Sequence, residues 1–236
     1  MLPTIATGNV GSALAGEYEV ANSLRFDDGS NDYLNKTFST PTNNKIWTWS
    51  GWVKKCSNGI TSQTLFGSGP DGNNQGEVKF LNDNLQVFDS TNSANNFTVK
   101  SNAIFRDVSA WYHVVASVDT TQSTSSDRVK IYINGSQITS LATSSYPSIN
   151  LNTRINANIN HTIGRRSWIA QYYDGYMAEV CFIDGQQLDP TSFGEFDENS
   201  GIWKPIDVSG LTFGNNGFYL DFENSGSLGA DVSGNG

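Results

Sequence analysis

The densest set of groups able to meet a ligand is the run Gly164-Arg165-Arg166-Ser167-Trp168-Ile169-Ala170-Gln171-Tyr172-Tyr173-Asp174. Flat aromatic faces stack on sugar rings, and guanidinium groups donate paired hydrogen bonds to hydroxyl or carboxylate oxygens. Arg165, Arg166, Trp168, Tyr172 and Tyr173 are therefore the candidate ligand-binding residues, placed on what the pattern makes a loop. The same aromatics would serve equally to plug one end of a fold or to form a subunit contact, and both readings stay open at this point.

Groups for catalysis are scarce. His113 lies inside the apolar run Trp111 to Asp119, where a histidine is usually a hydrogen-bonded core or interface residue. His161 precedes Thr162-Ile163-Gly164 without a Ser or Cys nucleophile pattern nearby, so neither histidine supports a triad. There is no HExxH, no phosphate-cradling glycine loop and no cysteine cluster. Cys56 and Cys181 are too far apart for a metal motif and too few for a disulfide framework, which makes them reduced thiols in or near strands. Asp27, Asp28 and Asp32 offer hard oxygens of the kind calcium takes. Short Asx residues also cap tight turns through their own backbone, and that reading is preferred. No cofactor is expected, with a structural calcium as the less favoured alternative.

The elements that position these groups follow from composition. Only 16% of the 236 residues are charged, while 12% are aromatic and Asn, Ser, Thr and Gly are abundant. Such a chain suits antiparallel strands joined by tight turns, and its length fits one all-β domain. The formal net charge of -9 without a basic run argues against nucleic-acid binding. No apolar stretch approaches the ~18 residues of a membrane span. The first twenty residues lack the charged start and apolar segment of a secretory signal.

Residues 1–19 hold small residues without periodicity and read as an N-terminal arm, ordered against a neighbouring subunit. Residues 20–222 carry recurring short strands, and residues 223–236 form a Gly, Ser and Asn-rich tail. In Trp111 to Asp119 one face carries Trp111, His113, Val115 and Ser117, and the other Tyr112, Val114, Ala116 and Val118. Both faces are largely apolar, so this strand is central. Val129 to Ile133, Asn134-Gly135 and Ser136 to Ile138 form a hairpin, because a type I′ turn needs positive φ at both of its central residues. The polar segment between Asp119 and Asp127 should be exposed, and Asp189-Pro190 opens the one short helical turn worth expecting.

Three ordered stretches resemble the laminin-G-like branch of the concanavalin A-like lectin/glucanase superfamily. They are Leu24 to Leu34 with its Phe26-Asp27-Asp28-Gly29 turn, Trp49-Ser50-Gly51-Trp52-Val53-Lys54, and Trp111 to Val115 followed by the Asn134-Gly135 hairpin and Asp174 to Gln186. The resemblance implies an antiparallel jelly-roll β-sandwich. Phe182 to Glu195, then Trp203-Lys204-Pro205 and Gly217 to Phe222, is similar to domains of marine and cyanobacterial bacteriophage structural proteins. That likeness implies a virion component, a fibre, tail or capsid-surface appendage assembled in the host cytoplasm with other virion proteins. Its sandwich would bind host-surface glycan, or serve as a purely structural decoration or oligomerisation module. Weak single-site binding to sugar would call for a homo-oligomer or array. Asp221-Phe222 and Asp231 to Gly236 are similar to the segment that opens such domains, so the tail either completes the sandwich or begins a second repeat. Hydrolytic relatives carry an E-x-D-x-x-E pattern on a strand. Here Glu195-Phe196-Asp197 begins the pattern after a proline-led turn, but Ser200 stands in place of the acid/base glutamate. Enzymatic activity is therefore the least favoured reading.

Overall fold

Alternating apolar residues give strands an inner and an outer face, and two sheets here bring their inner faces together. The computed structural model describes residues 18–235, so the arm expected over 1–19 lies almost wholly outside the described residues. One sheet runs in the order β1 (Leu24–Phe26), β13 (Gly175–Asp184), β3 (Ile46–Lys55), β8 (Tyr112–Asp119), β9 (Val129–Ile133) and β10 (Ser136–Gln137). Strand β16 (Phe218–Leu220) shares the free edge of β13 with β1. The second sheet runs β11 (Leu141–Ser145), β7 (Ala94–Ile104), β6 (Asn84–Thr91), β5 (Asn74–Leu81), β4 (Ser62–Asp71), β12 (Asn160–Ile163) and β2 (Leu34–Thr37). The pairings of both sheets are antiparallel.

Trp47, Trp49, Phe66, Phe80, Val114 and Phe182 belong to the main core between the sheets. A second cluster covers the outer face of the first sheet, where Val115, Cys181 and Ile183 meet Phe193, Val208 and Phe213 from the chain after β13. This is why β8 is apolar on both faces: Val114, Ala116 and Val118 enter one core, and Val115 the other. Part of the covering layer is a separate hairpin, β14 (Gly194–Phe196) with β15 (Trp203–Pro205).

Asn134 and Gly135 take φ of 46° and 78°, as the expected turn requires. A Cβ at Gly135 would stand 2.4 Å from the Trp203 ring, so covering layer and hairpin turn are fitted to one another. The expected helical turn is a 3-10 turn at Pro190–Ser192, with the Asp189 side chain accepting from the Thr191 N–H. Strands β2 and β11 were not read from sequence, because LNKT and LATSS are short and polar. Cys181 is buried as expected, but Cys56 is exposed, one residue beyond the end of β3, where packing no longer covers it.

Two acidic residues close the fold. Asp184 is buried and accepts from the backbone N–H groups of Thr42, Asn43 and Asn216 and from the Asn156 side-chain amide, at 2.6–3.1 Å. Asp231 holds the tail against β16, accepting from the N–H groups of Tyr219 at 3.0 Å and Ser233 at 2.9 Å. The Val232 N–H donates back to the Tyr219 carbonyl. The tail thus folds onto the sandwich.

Candidate functional site

The turn at 27–33 and the loop at 164–174 meet at one edge of the sandwich. Gly164 starts the loop with φ of 77°, and a Cβ there would lie 2.4 Å from the Phe26 ring, so glycine alone suits the position. The loop then closes on itself: Tyr173 N–H donates to Gly164 O at 2.8 Å and Arg166 N–H to Gln171 O at 2.9 Å.

The five candidate side chains go three ways. Arg165 and Tyr172 stay together at the rim, where Tyr33 joins them. The Arg165 guanidinium lies 4.7 Å from the Tyr33 ring centre and 5.5 Å from that of Tyr172, and the two rings are 6.2 Å apart. Tyr33 is 39% exposed, so the cluster faces solvent.

Arg166 and Trp168 turn instead toward β5. The Arg166 Nε sits 3.0 Å from Glu77 Oε1, and its NH2 donates to Gln75 Oε1 at 3.2 Å. Trp168 Nε1 donates to the same Gln75 oxygen at 2.8 Å, while Arg166 stacks on the indole at 5.0 Å. The indole also covers Gly72, where a Cβ would come within 3.0 Å of it. Glu77 is buried and further held by Lys79 and by the Thr64 hydroxyl. Trp168 is thus a pinned wall of the site and not a free stacking platform.

Tyr173 must be struck from the ligand-facing set. It is fully buried, its ring packs edge-on against Phe26, and its hydroxyl donates to the Lys54 carbonyl at 2.9 Å. Tyr172 pairs with Arg165 in an isolated antiparallel bridge and keeps its ring at the rim, whereas the next residue, Tyr173, sends its ring into the core. Tyr33, Gln75 and Glu77, which contact the candidate side chains, were not among the candidates read from sequence. Tyr33 was visible only as a member of the opening motif, and the other two carry no local signal.

Below the rim, Asp27, Asp28 and Asp174 bring carboxylate oxygens within 4.8 Å of one another. Asp174 already pairs with Arg25 at 2.7 Å, and Asp27 Oδ1 accepts the Gly29 N–H at 2.9 Å. Asp32 is not a member of this group and accepts the Asp27 N–H at 3.2 Å, capping the turn. A guanidinium within the carboxylate cluster competes with any cation, so these residues fit a dedicated calcium cage poorly.

The two histidines make structural hydrogen bonds. His113 Nδ1 accepts from Trp203 Nε1 at 2.9 Å, which leaves its Nε2–H to donate to Ser50 Oγ at 2.9 Å. His161 Nε2 accepts from the Asn156 N–H at 3.1 Å, so its Nδ1–H donates to Ile159 O at 2.9 Å. Burial pushes both imidazoles down to about 3, which holds them neutral. Glu195 lies on a short strand, β14, and not in a bare turn, but that strand belongs to the appended hairpin. Asp197 accepts from the Ser200 N–H at 2.7 Å and the Ser200 hydroxyl at 2.8 Å, and these bonds bring it down to about 2. Ser200 is therefore the closing residue of a loop.

A family model described as the concanavalin A-like lectin/glucanases superfamily, of laminin-G type, matches residues 28–187. The chain belongs to that superfamily. Among solved structures it is similar to a heptameric pentraxin from Limulus polyphemus, with 17% identity, a TM-score of 0.50, and 70% of this chain and 76% of that one covered. It is also similar to domains LG4-5 of the mouse laminin alpha1 chain, at 13% identity and a TM-score of 0.50, covering 86% of this chain and 48% of that one. A third likeness is to tailspike protein 2 of the Escherichia coli O157:H7 bacteriophage CAB120, at 13% identity and a TM-score of 0.51. It covers 72% of this chain and 23% of the tailspike. At these identities the likeness is one of fold. No curated protein matches the chain.

Proposed function

We propose that this chain is a glycan-binding sandwich of a bacteriophage particle, working by recognition and without bond cleavage. The observation that carries the reading is the Tyr33, Arg165 and Tyr172 stack. It presents aromatic rings and a guanidinium at one solvent-facing rim. Stacking holds the guanidinium in place, so little side-chain freedom is lost when its free N–H groups meet sugar hydroxyls or an acidic sugar. The ordered run from Phe182 to Phe222 supports a virion setting, with other virion proteins as partners. The fold shared with a phage tailspike is compatible with it. The pairing of Glu195 and Asp197 with an appended hairpin favours binding over hydrolysis. The Arg25 contact favours a rim that works without a resident cation.

A site of this size supports roughly millimolar affinity, near 4 kcal/mol, so useful adhesion calls for several copies displayed together. The test is host-cell and glycan-array binding by a multivalent display of the full chain. Wild type is compared with Tyr33→Ala, Tyr172→Ala and Arg165→Ala, and with Trp168→Ala as a wall variant. Binding lost in the three rim variants supports the reading. Binding that survives all three with folding intact places recognition elsewhere. If wild-type arrays bind no glycan, the sandwich is a structural module.

A further inference from the structure

The rim read above as a glycan site carries a positive charge that the fold leaves unanswered, and the inference drawn from it rests on that reading. The other arginines are answered within the chain. Arg25, Arg106 and Arg166 pair with Asp174, Asp83 and Glu77. Arg128 donates to three backbone carbonyls, and Arg154 to the side chains of Asn74 and Thr91. Arg165 forms no ion pair among the described residues, although the chain has a formal net charge of -9.

The Arg165 guanidinium is nonetheless held in place. Its face lies against the Tyr33 and Tyr172 rings, its Nε is 3.4 Å from the Ile169 carbonyl, and its backbone bridges to that of Tyr172. The two terminal nitrogens have no acceptor among the described residues, and neither is shut off from solvent. What remains open is a fixed fork of N–H groups, which matches the two oxygens of a carboxylate. A neutral sugar would use the fork for ordinary hydrogen bonds, whereas a carboxylate would make charge-assisted ones, about twice as strong. The surroundings favour one negative charge over two. Asp27 and Asp28 on the turn and Asp174 on the loop gather near one another, and Arg25 offsets only one of them, so a phosphate dianion would meet more repulsion than a carboxylate.

We propose that the rim selects sugar acids, the carboxylate of a uronic or sialic acid taking the Arg165 fork while the sugar ring lies against the tyrosines. The probes are two matched pairs, methyl glucuronide with methyl glucoside and methyl N-acetylneuraminide with its methyl ester, together with inorganic phosphate. Each is titrated into the full chain at ~20 mM salt and followed by the amide shifts of residues 33, 165 and 172. In at least one pair the acid should bind ~5-fold or more tightly than its neutral partner, and more tightly than phosphate; the responding pair tells a uronic from a sialic acid. Arg165→Gln, which keeps a donor and drops the charge, should bring that pair within about twofold. Raising salt to ~300 mM should remove most of the wild-type preference, because the contact faces solvent. Equal binding within both pairs, or tighter binding of phosphate, overturns the choice of sugar acids and leaves the rim reading standing. Preference kept in a natively folded Arg165→Gln also overturns it. Should that variant not fold, salt decides: a preference unchanged at ~300 mM overturns the ion pair and its loss upholds it. If no probe moves these amides, the rim reading falls and the proposal with it.

Discussion

Replacing Asp184 by alanine removes one acceptor that serves four N–H donors from three separate segments. Thr42 is exposed and Asn43 half-buried, so water can reach their N–H groups in the variant, but Asn156 and Asn216 are buried and would be stranded. At about 1–3 kcal/mol for each stranded donor, the loss is roughly 2–6 kcal/mol, centred near 4. In a chain of this size that corresponds to a fall in Tm of about 8–16 °C. Asp184→Asn retains a carbonyl oxygen of the same shape and should cost about half as much, because one lone-pair-bearing atom still meets part of the donor set. Urea unfolding followed by tryptophan fluorescence is the assay, since Trp47 lies next to Thr48 and across the ladder from Asp184. A cost under ~1 kcal/mol for alanine, or equal costs for alanine and asparagine, would refute the account of Asp184 as the acceptor that ties these segments together.

Four further outcomes are expected. Gly164→Ala should lose about 2–4 kcal/mol in urea unfolding, from positive φ plus overlap with Phe26, whereas Gly201→Ala, at φ 67° with open space around it, should lose only ~1. Stability should rise from about pH 4 to 7. The two histidines are held near 3 when folded, so their contribution is complete above 6.5 and is lost as pH falls toward 3; Asp89, raised by burial to about 6, opposes them between 3.8 and 6 but is outnumbered. A stability curve flat or falling over that range would contradict the neutral-histidine assignment. Addition of millimolar calcium or of a chelator should move Tm by less than ~1 °C, because Arg25 already compensates Asp174; a larger stabilisation would indicate a bound ion. No polysaccharide in a broad panel should be cleaved, and Ser200→Glu should not create hydrolysis, since Glu195 is 58% exposed on an appended hairpin and lies 3.5 Å from the Lys204 ammonium; product release abolished by changing Glu195 would overturn this.

The all-β class, the Asn134-Gly135 turn, the two-faced strand at 112–119 and the proline-led turn at 190 were legible in the sequence. Each rests on local rules: side-chain alternation, positive φ at Asn and Gly, and the missing N–H of proline. The ordered motifs made the superfamily legible as well. The site was legible only in part. Arg165 and Tyr172 share one loop in the sequence, but their partner Tyr33 lies more than a hundred positions away and arrives through the pairing of β2 with β12. Two members of the same run, Arg166 and Trp168, turn away from that rim because Gln75 and Glu77 on β5 capture them. One position decided the fate of Tyr173, whose ring falls on the buried side of the chain next to Phe26. The role of Asp184, plain in the motif Phe182-Ile183-Asp184-Gly185-Gln186 only as a recurring letter, depends on donors at 42, 43, 156 and 216. Local geometry is written in neighbouring residues, whereas hydrogen-bond capture and burial depend on which distant strands become neighbours, and only the folded sandwich brings those strands together.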